Sequence, residues 1–243
     1  HTSVLEVKLS SIFPTVESAL TVFGDSVELT ATGKTFTIDG NDHNTDGSPG
    51  SYPAVEGVGV QSEESVADVK KQLDSAKEGS IADRVIGKSG IGSVGSFSTS
   101  NLLALHKFYR EIATVLLPAG KYADNRVLGT LDRPEVVYVP GNLEWSGTIQ
   151  GAGILVVDGQ LIMQGKIEWK GIILAMSGDV TISLGGTGTP AIMGTVWVGN
   201  TDPTQVTHVN VTGNPSIAYS YITLMTVLGN LGLLDVEILK YWE

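Results

Sequence analysis

A repeat of 18 residues between Val136 and Gly186 constrains the fold more than any other feature of the sequence. Three segments share an apolar run, a Gly, a second short run and another Gly: VVYVPGNLEWSGTI from Val136, ILVVDGQLIMQGKI from Ile154 and IILAMSGDVTISLGG from Ile172. The matching positions are Gly141, Gly159 and Gly178; Leu143, Leu161 and Val180; Trp145, Met163 and Ile182; and Gly147 and Gly165, with Gly185 displaced by insertions. Strand-plus-glycine repeats of this length are typical of a β-solenoid.

Each segment of the repeat is an incomplete unit, because one coil cannot bury its own apolar side. Parallel pairing with the next coil, about 4.8 Å away, stacks like residues into columns that fill a continuous core. Glycine suits the corners, where the chain needs dihedrals that other residues disfavour. The repeat therefore predicts a mainly β chain folded as a right-handed parallel β-helix, a type of β-solenoid. A β-sandwich, which also has regular short strands, is the alternative.

The prediction for the whole chain is a single β-solenoid domain, residues 1–243, in three parts. Residues 1–40 supply a first coil, because Ala19–Gly40 is a looser copy of the run–Gly–run pattern. Residues 41–133 form an excursion of a loop and two helices, and residues 134–243 hold the main coils and a closing segment. We expect the first coil to join the later coils, and the helices to cover the flank or end of the stack, where unpaired backbone would otherwise associate.

Two helices are predicted within the excursion, over Ser62–Gly79 and Ser100–Leu117. Each has one apolar stripe at helical spacing. The stripes comprise Val66, Val69, Leu73 and Ala76 in the first helix, and Leu102, Leu105, Tyr109, Ile112 and Leu116 in the second. Elsewhere, strands are predicted at Val4–Ser10, Ile192–Gly199, Val206–Gly213 and the closing LLDVEILKYWE, with weak helical character over Pro215–Gly229.

Composition and charge exclude several classes of protein. The 243 residues are 42% apolar and 17% charged with 30 glycines, which indicates a folded, β-rich chain. The net charge of −11 and the lack of a basic run disfavour binding to nucleic acid or anionic membranes. Without cysteine, disulfides and thiolate metal sites are excluded, but the compartment is not identified. No run of apolar residues is long enough to span a bilayer, and a signal or anchor could precede His1.

Five segments carry a resemblance to a known family: TFTIDGNDHN from Thr35, YPAVEGVGV from Tyr52, GAGILVVDGQLIMQGKIEWKGIIL from Gly151, VTGNPSIAYS from Val211, and the C-terminal YWE. From about Phe36 to Glu243 the chain resembles secreted PilX-like pilus assembly proteins. The resemblance implies a minor-pilin-like protein, in which an N-terminal membrane helix precedes a β-helical ectodomain, with other pilin-like or envelope proteins as partners. It implies no catalytic residues. The family's N-terminal helix is absent from these 243 residues, so the membrane would be reached only through a preceding segment.

The loop after the first coil contains a pattern for a hard cation. Four residues have the spacing of a D-x-N-x-D-G loop and are the predicted Ca²⁺ ligands: Asp42, Asn44, Asp46 and Ser48. Gly47 allows the sharp turn, and the twelfth position is Pro53 rather than Glu, so an EF-hand is not expected. Asp39 or Glu56 would supply the missing carboxylate. The alternative is a surface loop in which the Asp and Asn side chains bond to their own backbone.

The sequence gives little support for catalysis. The histidines are scattered, no G-x-S-x-G motif is present, and His106 is predicted to be a surface or boundary residue. Polysaccharide-active enzymes need charged groups clustered on one outer face. The coils offer Glu144, Asp158, Lys166, Glu168 and Lys170, of which only the last three are close together. Solvated side chains on an outward face explain them better.

Three tryptophans of the repeats, Trp145, Trp169 and Trp197, are predicted to be buried, with Trp145 stacked on Met163 in the core.

Together with the resemblance, the sequence favours a non-catalytic, extracellular structural or interaction module of the bacterial cell envelope, linked to a type IV pilus-like system and able to self-associate. A carbohydrate-binding or adhesive module is the first alternative, and would show an exposed aromatic row against surface glycans. A polysaccharide-active enzyme is the second, and would show a cleft with paired carboxylates.

Overall fold

The computed structural model describes residues 4–11, 15–31, 36–75, 83–184, 191–202 and 204–242. They form a mainly β chain in which a large parallel sheet curls on itself, accompanied by a few helices. In chain order the strands are β1 (Val4–Ser11), β2 (Ser18–Val22), β3 (Val27–Ala31), β4 (Thr37–Asp39), β5 (Glu56–Val60), β6 (Val85–Ile86), β7 (Ile91–Ser93), β8 (Val115–Leu116), β9 (Gly120–Tyr122), β10 (Arg126–Leu128), β11 (Glu135–Val139), β12 (Leu143–Trp145), β13 (Thr148–Val157), β14 (Leu161–Ala175), β15 (Asp179–Leu184), β16 (Ile192–Val198), β17 (Thr207–Gly213), β18 (Ser216–Ala218) and β19 (Leu234–Trp242), and the helices are α1 (Glu63–Ser75), α2 (Thr99–Glu111) and α3 (Tyr221–Asn230).

The curled sheet consists of three parallel ladders. Ladder A runs β8–β11–β13–β14–β16–β2–β5–β7. Ladder B runs β9–β12–β14–β15–β17–β3. Ladder C runs β10–β13–β14–β16–β18–β4–β6. The long strands β13 and β16 bend and take part in two ladders each, and β14 takes part in all three, which curls the sheet around a shared core.

The predicted register of the repeat is confirmed. Leu143 pairs with Leu161 and Leu161 with Val180, and all three side chains are buried. Trp145 stacks on Met163 in the same ladder, also buried. The burial predicted for Trp169 and Trp197 is confirmed as well. Like residues therefore form continuous columns, and the hydrophobic effect acts on the stack as a whole rather than on single coils.

A glycine column marks the bend from ladder C to ladder A. Gly153, Gly171 and Gly194 are register partners, with φ values of +137°, +130° and +140°. A Cβ at any of them would collide with a backbone carbonyl oxygen one rung away, that of Glu135 for Gly153. Only glycine combines this conformation with so close an approach of two backbones.

The order of strands along the ladders differs from their order in the sequence. The late strands β16, β17 and β18 pair with the early strands β2, β3 and β4, one pair in each ladder. The register partners include Val196 with Leu20, Val209 with Leu29, and Ile217 with Ile38. The prediction that the first coil joins the later ones is thereby confirmed. We call β2–β7 the N-terminal stack, β8–β18 the C-terminal stack, and the junction between them the seam.

The excursion predicted for residues 41–133 needs correction, because six of its segments, β5 to β10, are strands of the ladders. The second helix also ends earlier than predicted, at Glu111, and begins at a capping box of Ser98 and Asn101. Beyond it, Val115 and Leu116 pair with β11. Ladder pairing there replaces the helix that the apolar stripe favoured. The first helix is confirmed to Ser75, and its predicted end at Ala76 to Gly79 lies outside the described residues.

Two of the helices lie along the C-terminal stack. Just before α2, Phe97 packs on Trp197, and near its end Arg110 lies over the Tyr138 ring. Trp197, Leu174, Val156 and Tyr138 are successive register partners, so α2 covers one column of ladder A. Leu116 continues this column beyond the helix and is 68% exposed. Within the described ranges, no helix has the length and apolar character needed to cross a membrane.

The two ends of the ladders are covered in different ways. At the N-terminal stack, Gln72 of α1 accepts from the Leu29 amide (2.8 Å) and donates to the Val27 carbonyl (2.9 Å), which occupies the outer edge of β3. At the other end, the Arg126 guanidinium lies 4.3 Å from the centre of the Tyr122 ring. Arg126 and Tyr122 are the register partners of the core residues Ile149 and Trp145. The pairing by Gln72 reduces the risk of edge-to-edge association at β3, and the Arg126–Tyr122 pair lies at the end of the core columns.

The predicted terminal strands are confirmed, and they pair with each other. β1 and β19 form a separate antiparallel sheet, with Val4 opposite Trp242 and Ser11 opposite Leu234. Since β1 precedes the N-terminal stack and β19 follows the C-terminal stack, this ribbon is a further connection between the two halves of the chain.

Candidate functional site

The candidate site is the loop that links β4 to β5, together with the first turn of α3. Asp42 in this loop is 7% exposed. Its Oδ1 accepts a hydrogen bond from the Tyr221 amide (2.9 Å), and its Oδ2 accepts one from the Tyr52 amide (3.0 Å). Gly50 packs so closely that a Cβ there would collide with Oδ2. Asp42 is therefore a buried clasp between the loop and α3.

The position of Asp42 suits a carboxylate. Tyr221 is the first residue of α3, and Ser220 caps the helix by accepting from the Thr223 amide at 3.2 Å. The amides of the first turn have no partner within the helix and form its positive end, where an anionic oxygen is favoured. Asp42 therefore stabilises the helix start and the loop through one side chain.

The other predicted calcium ligands bond to each other. Asp46 Oδ1 accepts from the Ser48 amide (2.9 Å) and from the Ser48 hydroxyl (2.6 Å), and these bonds lower the pKa of Asp46. Asn44 Nδ2 donates to Ser48 Oγ (3.0 Å) and to the Pro49 carbonyl (2.9 Å). This is the self-bonded Asx arrangement named as the alternative. Asp42 faces α3 instead, with both of its oxygens already accepting hydrogen bonds.

Metal binding by this loop stays a prediction. Across the residues whose positions are described, no group of three or more His, Asp or Glu side chains is arranged to hold a metal ion. Each carboxylate oxygen of Asp42 accepts one hydrogen bond and keeps a second lone pair, so direct measurement has to decide.

His43 has a defined tautomer in this loop. Its Nδ1 lies 2.8 Å from the Asn41 carbonyl and 3.2 Å from the Tyr219 carbonyl, so Nδ1 carries the proton, because carbonyl oxygens only accept. Its Nε2 lies 3.4 Å from Asp39 Oδ2. Protonation of Nε2 would turn that contact into an ion pair. His43 thus connects three backbone or carboxylate oxygens at the start of the loop.

Two tyrosines stack on the outer side of the clasp. The rings of Tyr52 and Tyr221 have centroids 3.8 Å apart and planes inclined by 27°. Tyr52 is 48% exposed and the adjacent Ile222 is 41% exposed. We call Tyr52, Tyr221 and Ile222 the tyrosine patch. Asp42 bonds to the backbone amides of both tyrosines and the two rings stack on each other, so the patch has a defined geometry.

Tyr219 lies beneath the patch and is buried. Burial, with the nearby Asp42 carboxylate as a second cause, raises the pKa of Tyr219 to about 12. The phenol stays neutral at all physiological pH values, so the base of the patch does not change its charge.

The loop also connects the two stacks. Lys170 Nζ, on β14 of the C-terminal stack, donates to the Thr45 carbonyl at 2.9 Å. The His43 amide donates to the Tyr219 carbonyl at 3.1 Å, and the Asp42–Tyr221 bond joins the same two halves. The predicted site is therefore a contact across the seam, a role that sequence spacing does not reveal because the partners lie far apart in the chain.

A second polar cluster joins α2 to the C-terminal stack. His106 Nε2 lies 2.6 Å from Asp158 Oδ1, Tyr138 OH donates to Asp158 Oδ2 at 2.5 Å, and Arg110 Nη1 lies 3.9 Å from Oδ2. His106 is 6% exposed, so its prediction as a surface or boundary residue is wrong. Burial and the bond to Asp158 raise the pKa of Tyr138. His106 shares the apolar face of Leu102 and Tyr109, which is the signal that could have placed it.

The charged residues considered for catalysis lie on different parts of the sheet. Glu144 is on ladder B and pairs with Lys121 at 2.6 Å. Glu168 is on ladder C, where Lys166 (3.5 Å) and Gln150 (3.1 Å) contact it. Asp158 faces α2. Glu144 with Lys121 and Glu168 with Gln150 are register partners on neighbouring strands, and Lys166 lies two residues from Glu168 in the same strand.

Comparisons of the chain with protein-family models, with curated proteins and with solved structures each found no match. The resemblance to PilX-like proteins therefore stays a prediction from the sequence. What can be inferred about function rests on the contacts of the loop, the tyrosine patch and the seam.

Proposed function

We propose that this chain is a non-catalytic structural or interaction module of the bacterial cell envelope, acting at the cell surface in a type IV pilus-like system. We further propose that ladders A, B and C are the three faces of a right-handed parallel β-helix. The observation that carries the functional proposal is the tyrosine patch, which the buried Asp42 holds in place on the outside of the stack.

A fixed aromatic patch is well suited to binding a protein. Tyrosine buries a large area with only two side-chain torsions, so little conformational entropy is lost on contact, and tyrosine is enriched where interfaces concentrate their energy. Tyr52 and Tyr221 have already lost part of that freedom by stacking. The chain's net charge of −11 favours a neutral or basic partner surface. The proposed partner is a pilin-like or other envelope protein, in line with the resemblance read from the sequence.

Site-specific cross-linking tests this proposal. The photoreactive residue p-benzoylphenylalanine is placed at Tyr52 and, as a matched control, at Val127, an apolar residue 67% exposed on ladder C. Both variants are expressed in cells that make the natural protein and are irradiated. We expect adducts with an envelope protein that carries a pilin-type N-terminal helix at position 52 and not at position 127. Equal yields at the two positions, or adducts only with cytoplasmic proteins, would contradict the proposal.

A carbohydrate-binding role is the second candidate, because the exposed ring of Tyr52 could stack on a sugar. Titration with neutral oligosaccharides separates the two. Saturable binding that is lost in Tyr52→Ala and kept in Val127→Ala would favour the glycan over the protein partner.

A further inference from the structure

At the seam, the two stacks meet through contacts between segments that lie far apart in the chain. Across the seam, β16–β18 pair with β2–β4 in all three ladders, although these strands are far apart in sequence. Buried hydroxyls add to the junction: Thr195 Oγ1 donates to the Ser18 carbonyl (3.0 Å), and Thr207 Oγ1 donates to the Phe23 carbonyl (2.7 Å). Each of these contacts joins a residue of the N-terminal stack, within residues 15–93, to a residue of the C-terminal stack, within residues 115–230.

The chain passes from the N-terminal stack to the C-terminal stack through a short segment between Val94 and α2. Val94 still belongs to the N-terminal stack, since its amide donates to the Val60 carbonyl at 2.8 Å. Phe97 contacts both stacks, because its ring packs on Trp197 and on Phe23 and its carbonyl accepts from Gln61 Nε2 (3.2 Å). The Ser96 amide donates to Glu17 Oε2 (3.2 Å), whereas α2, from Thr99, stays with the C-terminal stack through the Asp158 cluster. The hinge is therefore the four residues 95–98, and a Cβ on Gly95 would meet nothing within 4 Å.

Outside the seam, Gln72 of α1 pairs with the outer edge of β3 at one end, and the Arg126–Tyr122 pair lies at the end of the core at the other. The surface most complementary to the open end of a C-terminal stack is therefore an N-terminal stack of the same sequence. A second copy can supply it with the same register and the same hydrogen bonds. Short hinges are the usual place where such exchange begins.

We propose that the chain forms domain-swapped dimers, in which the N-terminal stack of one copy closes the seam with the C-terminal stack of a second copy. The hinge at residues 95–98 is then extended, with its contacts to Glu17 and Gln61 released, and the β1–β19 ribbon is exchanged in the same way. Because monomer and dimer contain the same seam, their balance depends on the effective concentration within one chain, roughly millimolar for a short linker. The inference goes beyond the proposed function, since it requires neither the tyrosine patch nor an envelope partner.

Cysteine variants test the exchange cleanly, because the chain contains no cysteine. Thr30 and Asn210 are register partners across the seam, with their side-chain oxygens 3.2 Å apart on ladder B. Thr30→Cys and Asn210→Cys are prepared as separate chains, mixed, unfolded, refolded together at increasing concentration and oxidised. The matched control mixes Thr181→Cys with Asn210→Cys, which are register partners within the C-terminal stack.

Exchange predicts a disulfide-linked dimer of the Thr30→Cys and Asn210→Cys chains that increases with refolding concentration and elutes at twice the monomer mass. The control mixture should give only the background level, because residues 181 and 210 belong to the same stack in either form. Insertion of four Gly/Ser residues after Gly95 should shift the population toward monomer. A cross-seam yield no higher than the control, or a dimer population unchanged by the longer hinge, would overturn the proposal.

Discussion

Replacing Asp42 by Ala should destabilise the protein more than any other single change in the loop. The substitution removes two hydrogen bonds from backbone amides to a buried carboxylate, those of Tyr52 and Tyr221. Bonds of this charge-assisted kind are worth about 1.5–3 kcal/mol each, which sets an upper range of about 3–6 kcal/mol. Water can reach the amide of the more exposed Tyr52, so we expect a loss of about 3–4 kcal/mol.

Asp42→Asn separates hydrogen bonding from charge. Asn keeps one acceptor oxygen but turns an NH₂ group toward the second amide, so one bond is lost and the expected cost is about 1.5–3 kcal/mol. Asp46→Asn is the control in the same loop. Asp46 is exposed and its acceptor role toward Ser48 can be kept by Asn, so the change should stay within about 0.5 kcal/mol.

Urea unfolding followed by tryptophan fluorescence measures these losses, because Trp145, Trp169 and Trp197 are all buried. Amide hydrogen exchange adds a local readout: protection of the Tyr52 and Tyr221 amides should fall in Asp42→Ala while core strands keep theirs. The proposed role of Asp42 in holding the loop to α3 would be refuted if Asp42→Ala were as stable as Asp46→Asn, or if the Tyr52 and Tyr221 amides both kept their protection from exchange.

Four further outcomes follow from the fold. Leu161→Ala should cost about 2–5 kcal/mol in urea unfolding, since Leu161 is fully buried in ladder B; a loss below 1 kcal/mol would show that its column is loosely packed. Gly171→Ala should cost more than about 1 kcal/mol, whereas Gly95→Ala should be nearly neutral; equal effects would contradict the glycine column. Joining Thr30→Cys and Asn210→Cys in one chain closes a loop of 180 residues, for a gain of about 5 kcal/mol on oxidation; failure of monomers to oxidise would contradict the seam register. Calcium bound by the loop should raise the free energy of unfolding by about 2.7 kcal/mol at a hundredfold excess over Kd, and excess chelator should reverse the resulting increase in the thermal midpoint. An unchanged midpoint, with no binding detected by calorimetry, would leave only the self-bonded loop.

The sequence predicted the parts of the fold that a local pattern encodes. The 18-residue spacing placed Leu143, Leu161 and Val180 in one column, because parallel strands put equivalent positions directly above one another. The short strands β6 and β7 were not predicted, since Val85–Ile86 and Ile91–Ser93 are too short to show an alternation of apolar and polar residues. They are strands because their ladder partners pair with them, which is a tertiary effect.

The candidate site was only half visible in the sequence. The spacing of Asp42, Asn44 and Asp46 is compatible with a cation loop and with an Asx-turn loop, because both use closely spaced carboxylate and amide oxygens. Its actual role depends on Tyr221, which lies 179 residues beyond Asp42. No local pattern connects residues so distant. His106 differs, because its position on the buried face of α2 with Leu102 and Tyr109 could have been read locally, and only its bond to Asp158, 52 residues away, could not.

The strand order at the seam also determines when the chain can finish folding as it is synthesised. The edge formed by β2, β3 and β4 leaves the ribosome early, but β16, β17 and β18 are among the last strands made. At 5–20 residues per second, the 179 residues between Asp42 and Tyr221 take roughly 9–36 s to translate. During that interval every nascent chain presents an open parallel edge. Polysomes, where such edges are crowded, are therefore the place where neighbouring chains would first meet.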